Sequence, residues 1–210
     1  MTALLDADDL RDSQDVLELA PAAERIAGLC PKIVVEIGAY TGASLRVWAQ
    51  VAAEMALLIA VDTVPERVRS FARRGQQGMV IAGDSADPET VRRVKLVMVN
   101  RPVDFLFIDG DHTRPLEDFG LWAPLVRPGG IVGFHDITHG GEFWTRQAWA
   151  VICQHFPQTE IFINSARSEG EAMGIGFVTM PSNWNSEAGD RFSQGTHRWV
   201  MTRSTKEDDR

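Results

Sequence analysis

The stretch Ile33-Val34-Val35-Glu36-Ile37-Gly38-Ala39-Tyr40-Thr41-Gly42 decides the fold. Its β-branched apolar run is what a strand buried on both faces requires, and a single acid interrupts it. Two glycines follow within a tight turn. Beyond Gly42 the pattern turns helical, with Leu45, Val47, Trp48 and Val51 spaced for one buried face. Strand, glycine turn and helix open a doubly wound α/β domain, in which ligands sit at the carboxyl ends of the strands.

Ahead of this stretch, residues 1–14 are acidic and polar and are expected to be partly disordered. A short helix capped by Ser13 is expected to run to about Ala27, interrupted or kinked at Pro21. Behind it, residues 56–61 read as a second strand ending at Asp62. Thr63 and Pro65 are start signals for a helix to about Arg74. Residues 79–82 form a short third strand ending in Gly83-Asp84-Ser85, and Asp87-Pro88 caps and starts the next helix. A fourth strand over 103–108 ends in Asp109-Gly110-Asp111-His112. A helix over 115–126 and the turn Pro128-Gly129-Gly130 lead to a fifth strand, 131–134, ending in His135-Asp136. A Trp-rich helix over 142–155 precedes strands at 160–163 and 174–180. These last two are joined too closely for a crossover helix and are expected to pair antiparallel. After Pro181 the pattern fades; residues 197–201 are candidates to dock and the end to fray. The organisation expected is an N-terminal, partly helical segment 1–30, one α/β domain 31–180, and a C-terminal tail 181–210.

At 210 residues, 44% hydrophobic and 24% charged, the chain suits one globular domain with a sizeable core. Its net charge of −8 argues against a polyanionic partner, and Arg73-Arg74 and Arg92-Arg93 read as solvated helix faces. No nucleic-acid partner is expected. Cys30 and Cys153 lack metal-ligand spacing and read as reduced, mostly buried thiols. The start of the chain does not read as a secretory signal, and the longest apolar run, 55–61, is too short for a bilayer. The expectation is a cytoplasmic protein with no membrane partner.

Five strand ends carry polar or acidic groups: Glu36 with Gly38, Asp62, Asp84 with Ser85, Asp109, and Asp136. One such acid is as easily a turn residue as a site residue. Five along one edge point to a site. Asp62 follows Gly42 by twenty residues, which places it at the end of the adjacent strand, where an acid accepts hydrogen bonds from a ribose diol. A nucleoside-bearing cofactor is implied. The dinucleotide fingerprint needs a glycine where Tyr40 stands, so a pyrophosphate is disfavoured. Glu36 suits a cofactor with a positive charge, such as an ammonium or sulfonium.

These residues carry a family resemblance. The run Glu36 to Gly42 with Tyr40 in its turn, then Asp62, then Gly83-Asp84-Ser85, resemble the successive motifs of class I S-adenosylmethionine-dependent methyltransferases. The blocks Phe105 to His112, Leu121-Trp122, Leu125 to Gly130 and His135-Asp136 resemble a narrower subgroup, which includes macrocin-type sugar O-methyltransferases and proteins labelled cephalosporin hydroxylase. The resemblance implies a Rossmann-like seven-stranded sheet of order 3-2-1-4-5-7-6 with the last strand antiparallel. It implies that Gly38 approaches the methionine end of the cofactor, that Asp62 binds its ribose, and that Asp84 and Ser85 contact its adenine.

The resemblance also implies a divalent metal held by Asp109 and Asp136. A third family carboxylate falls where this chain has His135. All-oxygen ligation suits Mg²⁺, whereas an imidazole favours Mn²⁺, Fe²⁺ or Zn²⁺. Either His135 joins the ligands or it points away and leaves two acids plus water. His112 matches the general-base position of the related sugar enzymes. Asp111 would orient that imidazole or support the metal from behind.

The chemistry is coherent on its own terms. A hydroxyl is a poor nucleophile at neutral pH, so methyl transfer to it gains from a metal and a base. The function expected is metal-dependent methyl transfer to a hydroxyl of a small acceptor, with a sugar or glycosylated natural product as the leading class. Three rivals stand beside it: a metal-dependent hydroxylase or hydrolase, a nicotinamide-dependent oxidoreductase, and a non-catalytic cofactor-binding protein. Trp122, Trp144 and Trp149 read as packing anchors and His139 as a loop residue. Were the chain a homodimer, the segment 143–149 would be the surface that pairs.

Overall fold

The computed structural model describes residues 14–138, 144–167 and 172–184. The expected frayed ends, the Ser13 cap, His139, Phe143 and residues 197–201 lie outside the described residues. Within them the order is α1 (Val16–Ala27), β1 (Ile33–Ile37), α2 (Ala43–Val51), β2 (Leu57–Asp62), β3 (Gln77–Ala82), α3 (Pro88–Val97) and β4 (Val103–Ile108). There follow α4 (Pro115–Trp122), β5 (Val126–Phe134), α5 (Thr145–His155), β6 (Thr159–Phe162) and β7 (Ile175–Thr179). The seven strands form one sheet in the order β3-β2-β1-β4-β5-β7-β6. β1, β2, β3, β4 and β5 pair in parallel, and β7 runs antiparallel to both β5 and β6. Sheet order and the closing hairpin match the sequence reading.

Alternation along β1 sorts the two faces. Val35 and Ile37 face α3, α4 and α5 through Val91, Val94, Leu116, Phe119, Trp149 and Ile152. Val34 faces α1 and α2 through Leu19, Ile26, Leu45 and Trp48, with Phe105, Phe107 and Phe177 stacked edge to face across the same layer. Glu36 shares that second face, which decides where its carboxyl goes. Trp122 and Trp149 are core, as expected, whereas Trp144 is 38% exposed. Cys30 and Cys153 are free but exposed, contrary to the buried thiols expected. No helix among the described residues is long and apolar enough to cross a membrane.

Two local expectations give way for identifiable reasons. α1 is continuous through Pro21 and is capped by Asp15, whose Oδ1 accepts the N–H of Leu17 at 2.9 Å. Proline leaves the carbonyl of Leu17 without its helical donor, and Leu17 is exposed, so water can satisfy it. The helix expected over 63–74 shrinks to a single 3₁₀ turn, Pro65–Arg67. The rest is pinned to neighbours instead of to itself: Arg69 N–H bonds Thr41 O, Arg73 Nη2 bonds Ala52 O, and Gln76 Nε2 bonds Ala49 O and Ala53 O. α3 starts as read, with Asp87 accepting from Glu89 N–H and Pro88 in its first turn.

Candidate active site

The carboxyl ends of β1, β2, β4 and β5 are drawn together by backbone bonds that step across the sheet. Asp109 N–H donates to Ile37 O at 2.9 Å, and His135 N–H to Ile108 O at 3.1 Å. The first glycine of the turn makes this approach possible. Gly38 has φ of +76°, and a Cβ there would fall 2.1 Å from the backbone carbonyl oxygen of Asp109. A side chain would push β1 and β4 apart at the point where the site forms.

A cavity of about 390 Å³ opens over these ends. Gly38, Tyr40, Asp62, Asp84, Ser85 and Asp109, named from sequence for a cofactor, line it. Asp62 is oriented by the glycine turn: Oδ2 accepts Tyr40 N–H at 2.7 Å and Oδ1 accepts Val64 N–H at 2.8 Å. Each oxygen keeps lone pairs for a ligand hydroxyl. Tyr40 holds φ of 47°, costly for a bulky residue, and its ring lies under the Arg67 guanidinium at 5.9 Å.

Two of the residues named from sequence for the cofactor stand outside the lining. Gly42, at φ of 79°, caps the start of α2. Glu36 is fully buried on the α2 face, where Ser44 Oγ donates to its Oε1 at 2.5 Å. Burial pushes its pKa up to about 8, with the Asp109 charge adding to the rise and Ser44 opposing it. Burial thus favours the protonated form of this carboxyl.

Arg114 and Asp118 went unnoticed in the sequence. Arg114 lines the cavity and links two strand ends, with Nη2 3.3 Å from Asp84 and Nε 3.0 Å from Asp111. Its signal was a lone cation between an acidic turn and Pro115. Asp118 is buried on α4, near Gly110 and Ser85, and burial raises its pKa to about 7. An acid amid Leu116, Phe119 and Trp122 was the available sign. The Asp111 carboxylate accepts from Thr113 N–H, Thr113 Oγ1 and Arg114 Nε.

Beside the cavity, Asp109, His112 and Asp136 each offer a ligand atom, all within 4.8 Å of one another. His112 Nε2 stands 3.5 Å from Asp136 Oδ2. His135 is 3% exposed, and its Nδ1 lies 3.2 Å from Asp109 Oδ1 and 3.3 Å from Asp136 Oδ2. Burial disfavours its charge, but the two carboxylates prevail and raise its pKa well above the usual imidazole value. Asp136 has φ of 57°, a left-handed conformation that Asp tolerates. The two carboxylates alone suit Mg²⁺, and an imidazole joining them shifts the preference toward Mn²⁺, Fe²⁺ or Zn²⁺.

Residues 35–137 match the family model described as a methyltransferase domain. That match and the seven-stranded sheet with its strand-end site resemble the class I, S-adenosylmethionine-dependent methyltransferases. Among solved structures, an O-methyltransferase from Bacillus cereus in complex with SAH aligns with TM-score 0.64 at 14% identity, over 85% of this chain and 87% of that one. Cofactor-bound Rv0187 from MTB aligns with TM-score 0.63 at 18% identity, over 87% and 88%. The MycE methyltransferase of the mycinamycin biosynthetic pathway, in complex with Mg and SAH, aligns with TM-score 0.54 at 21% identity. That alignment covers 78% of this chain and 50% of MycE. No curated protein matches the sequence.

Proposed function

We propose that this chain transfers a methyl group from S-adenosylmethionine to a hydroxyl of a small acceptor, with a sugar hydroxyl as the leading class, and that the reaction depends on a divalent ion. One observation carries the reading: a cavity sized for a nucleoside, with Asp62 at its rim, adjoins a cluster of two carboxylates and a histidine. The neighbours complexed with SAH, and MycE with Mg as well, support it.

In this reading Asp62 accepts the ribose hydroxyls, and Asp84, Ser85 and Gly110 border the adenine end. The Gly38 turn faces the methionine end. The cofactor supplies a methyl group already activated on a sulfonium. Asp109 and Asp136 would hold the ion, which when bound would lower the pKa of the acceptor hydroxyl. His112, partly exposed beside Asp136, takes the hydroxyl proton, and the carboxylate stabilises the imidazolium that results. His135 holds both carboxylates from beneath.

A second reading makes His112 the third ligand, favoured by the 4.8 Å grouping that includes it. The proposal is tested by incubating the protein with S-adenosylmethionine and a panel of sugars, glycosides and phenols while following S-adenosylhomocysteine. Acceptor-dependent formation, abolished by chelator and restored by Mg²⁺ or Mn²⁺, is the expected result. An oxidised or hydrolysed product without S-adenosylhomocysteine would transfer the assignment to the rival metal chemistry.

A further inference from the structure

The N-terminal segment, which the sequence placed outside the catalytic domain, reaches its centre. Gln14 immediately precedes the cap of α1 and is 6% exposed. Its Nε2 donates to Asp109 Oδ2 at 2.9 Å, across 95 residues of sequence. The orientation is dictated by chemistry, because an ionised carboxylate only accepts, so the amide must present its nitrogen. His135 Nδ1 faces the other oxygen, Oδ1, at 3.2 Å. Each oxygen of Asp109 thus has its own donor, one from just before the cap of α1 and one from just past the end of β5, and the plane of the carboxylate is fixed.

The seat of Gln14 is itself fixed. Asp15 caps α1 with one oxygen and with the other accepts from Asn164 Nδ2 at 2.9 Å and Arg167 Nε at 2.8 Å. Glu18, fully buried, accepts the N–H of Asn164 at 3.0 Å and of Gly174 at 2.8 Å. Gly174 O accepts from Ile137 N–H, the residue after Asp136, and Thr138 bonds Met173 O and Ala172 O. A continuous run of hydrogen bonds therefore leads from Asp109 through α1 and the segment before β7 to the neighbour of Asp136. Both carboxylates are anchored to one clamp.

Gln14 bears a cost in this position, since its Oε1 is buried with no partner among the described residues. A methionine of the same length would fill the space and remove that oxygen, at the cost of the donor to Asp109 Oδ2. The amide is therefore poorly explained by packing alone.

We propose that Gln14 is a positioning residue: its amide aims the Asp109 carboxylate at the divalent ion and couples occupancy of that site to the docking of the start of α1. This rests on the metal reading above. Partners behind a metal ligand commonly govern affinity by about 10–100-fold.

The test compares wild-type protein with Gln14→Met, measuring Mn²⁺ binding by electron paramagnetic resonance, the melting temperature without metal, and hydrogen exchange with and without Mn²⁺. Gln14→Met is expected to lose Mn²⁺ affinity by about tenfold or more while melting close to the wild-type temperature. A purely structural role cannot produce that separation. By reciprocity, Mn²⁺ should slow exchange in the first turn of α1 in the wild type and less so in the variant. Wild-type Mn²⁺ affinity in Gln14→Met overturns the inference alone, and so does loss of binding together with a large fall in melting temperature. A wild-type protein that binds no Mn²⁺ removes the metal reading and this inference together.

Discussion

Nε2 of His112 stands 3.5 Å from Oδ2 of Asp136, so the one partly exposed imidazole of the described cluster is paired with a carboxylate from the neighbouring strand end. That pairing suits a base, because the carboxylate can orient the imidazole ring. It also brings the ring close enough to serve as a ligand. The two roles separate by experiment.

If His112 is the base, His112→Ala should slow methyl transfer by about 10²–10⁴-fold and leave Mn²⁺ binding intact. Single-turnover kinetics and Mn²⁺ titration of the same preparation decide it. A fall in Mn²⁺ affinity of about tenfold or more would make the histidine a ligand.

Glu36 makes stability depend on pH in a set direction. Its folded pKa, about 8, lies above its ordinary value of 4.5 because burial disfavours the charged form. The folded state keeps a proton that the unfolded chain releases, so the stability this group contributes is full below about pH 4.5 and is lost as pH rises through about 8. Asp109 and His135 are the charged groups that also act on it. Glu36→Gln keeps an acceptor for Ser44 and cannot ionise. Relative to the variant, the wild type should lose a few kcal/mol between about pH 5 and about pH 9, at about 1.4 kcal/mol per pKa unit. Urea denaturation across that range checks it, and parallel pH curves for the two proteins would refute it.

Gly38→Ala tests the contact that assembles the site. The new Cβ would meet the Asp109 carbonyl in a left-handed backbone conformation, with no flexible side chain available to yield. A loss of about 3 kcal/mol or more is expected. Equilibrium unfolding within about 0.5 kcal/mol of wild type would mean that the two strand ends do not touch as described.

Much of this was legible in the sequence because it is periodic or local. The alternation of Val34 and Val35, the Asp87-Pro88 start and the short connection before β7 each specify an element from within a few residues. So do the acids that end β1, β2, β4 and β5. What escaped is what depends on distant partners. Residues 68–76 have helical composition, but the carbonyls of Ala49, Ala52 and Ala53 compete for their side chains. Glu36 reads as a charge until its strand face is known, and that face buries it. Gln14 carries no local signal at all, since its meaning comes only from Asp109.

The central claim is that a nucleoside-bearing methyl donor occupies the cavity over the strand ends with Asp62 on its ribose. Isothermal titration of the wild type and of Asp62→Ala with S-adenosylhomocysteine tests it most directly. One saturable site in the wild type, weakened by about tenfold or more in the variant, is the result this account predicts. No binding to the wild type, or equal affinity in a folded Asp62→Ala, would contradict it.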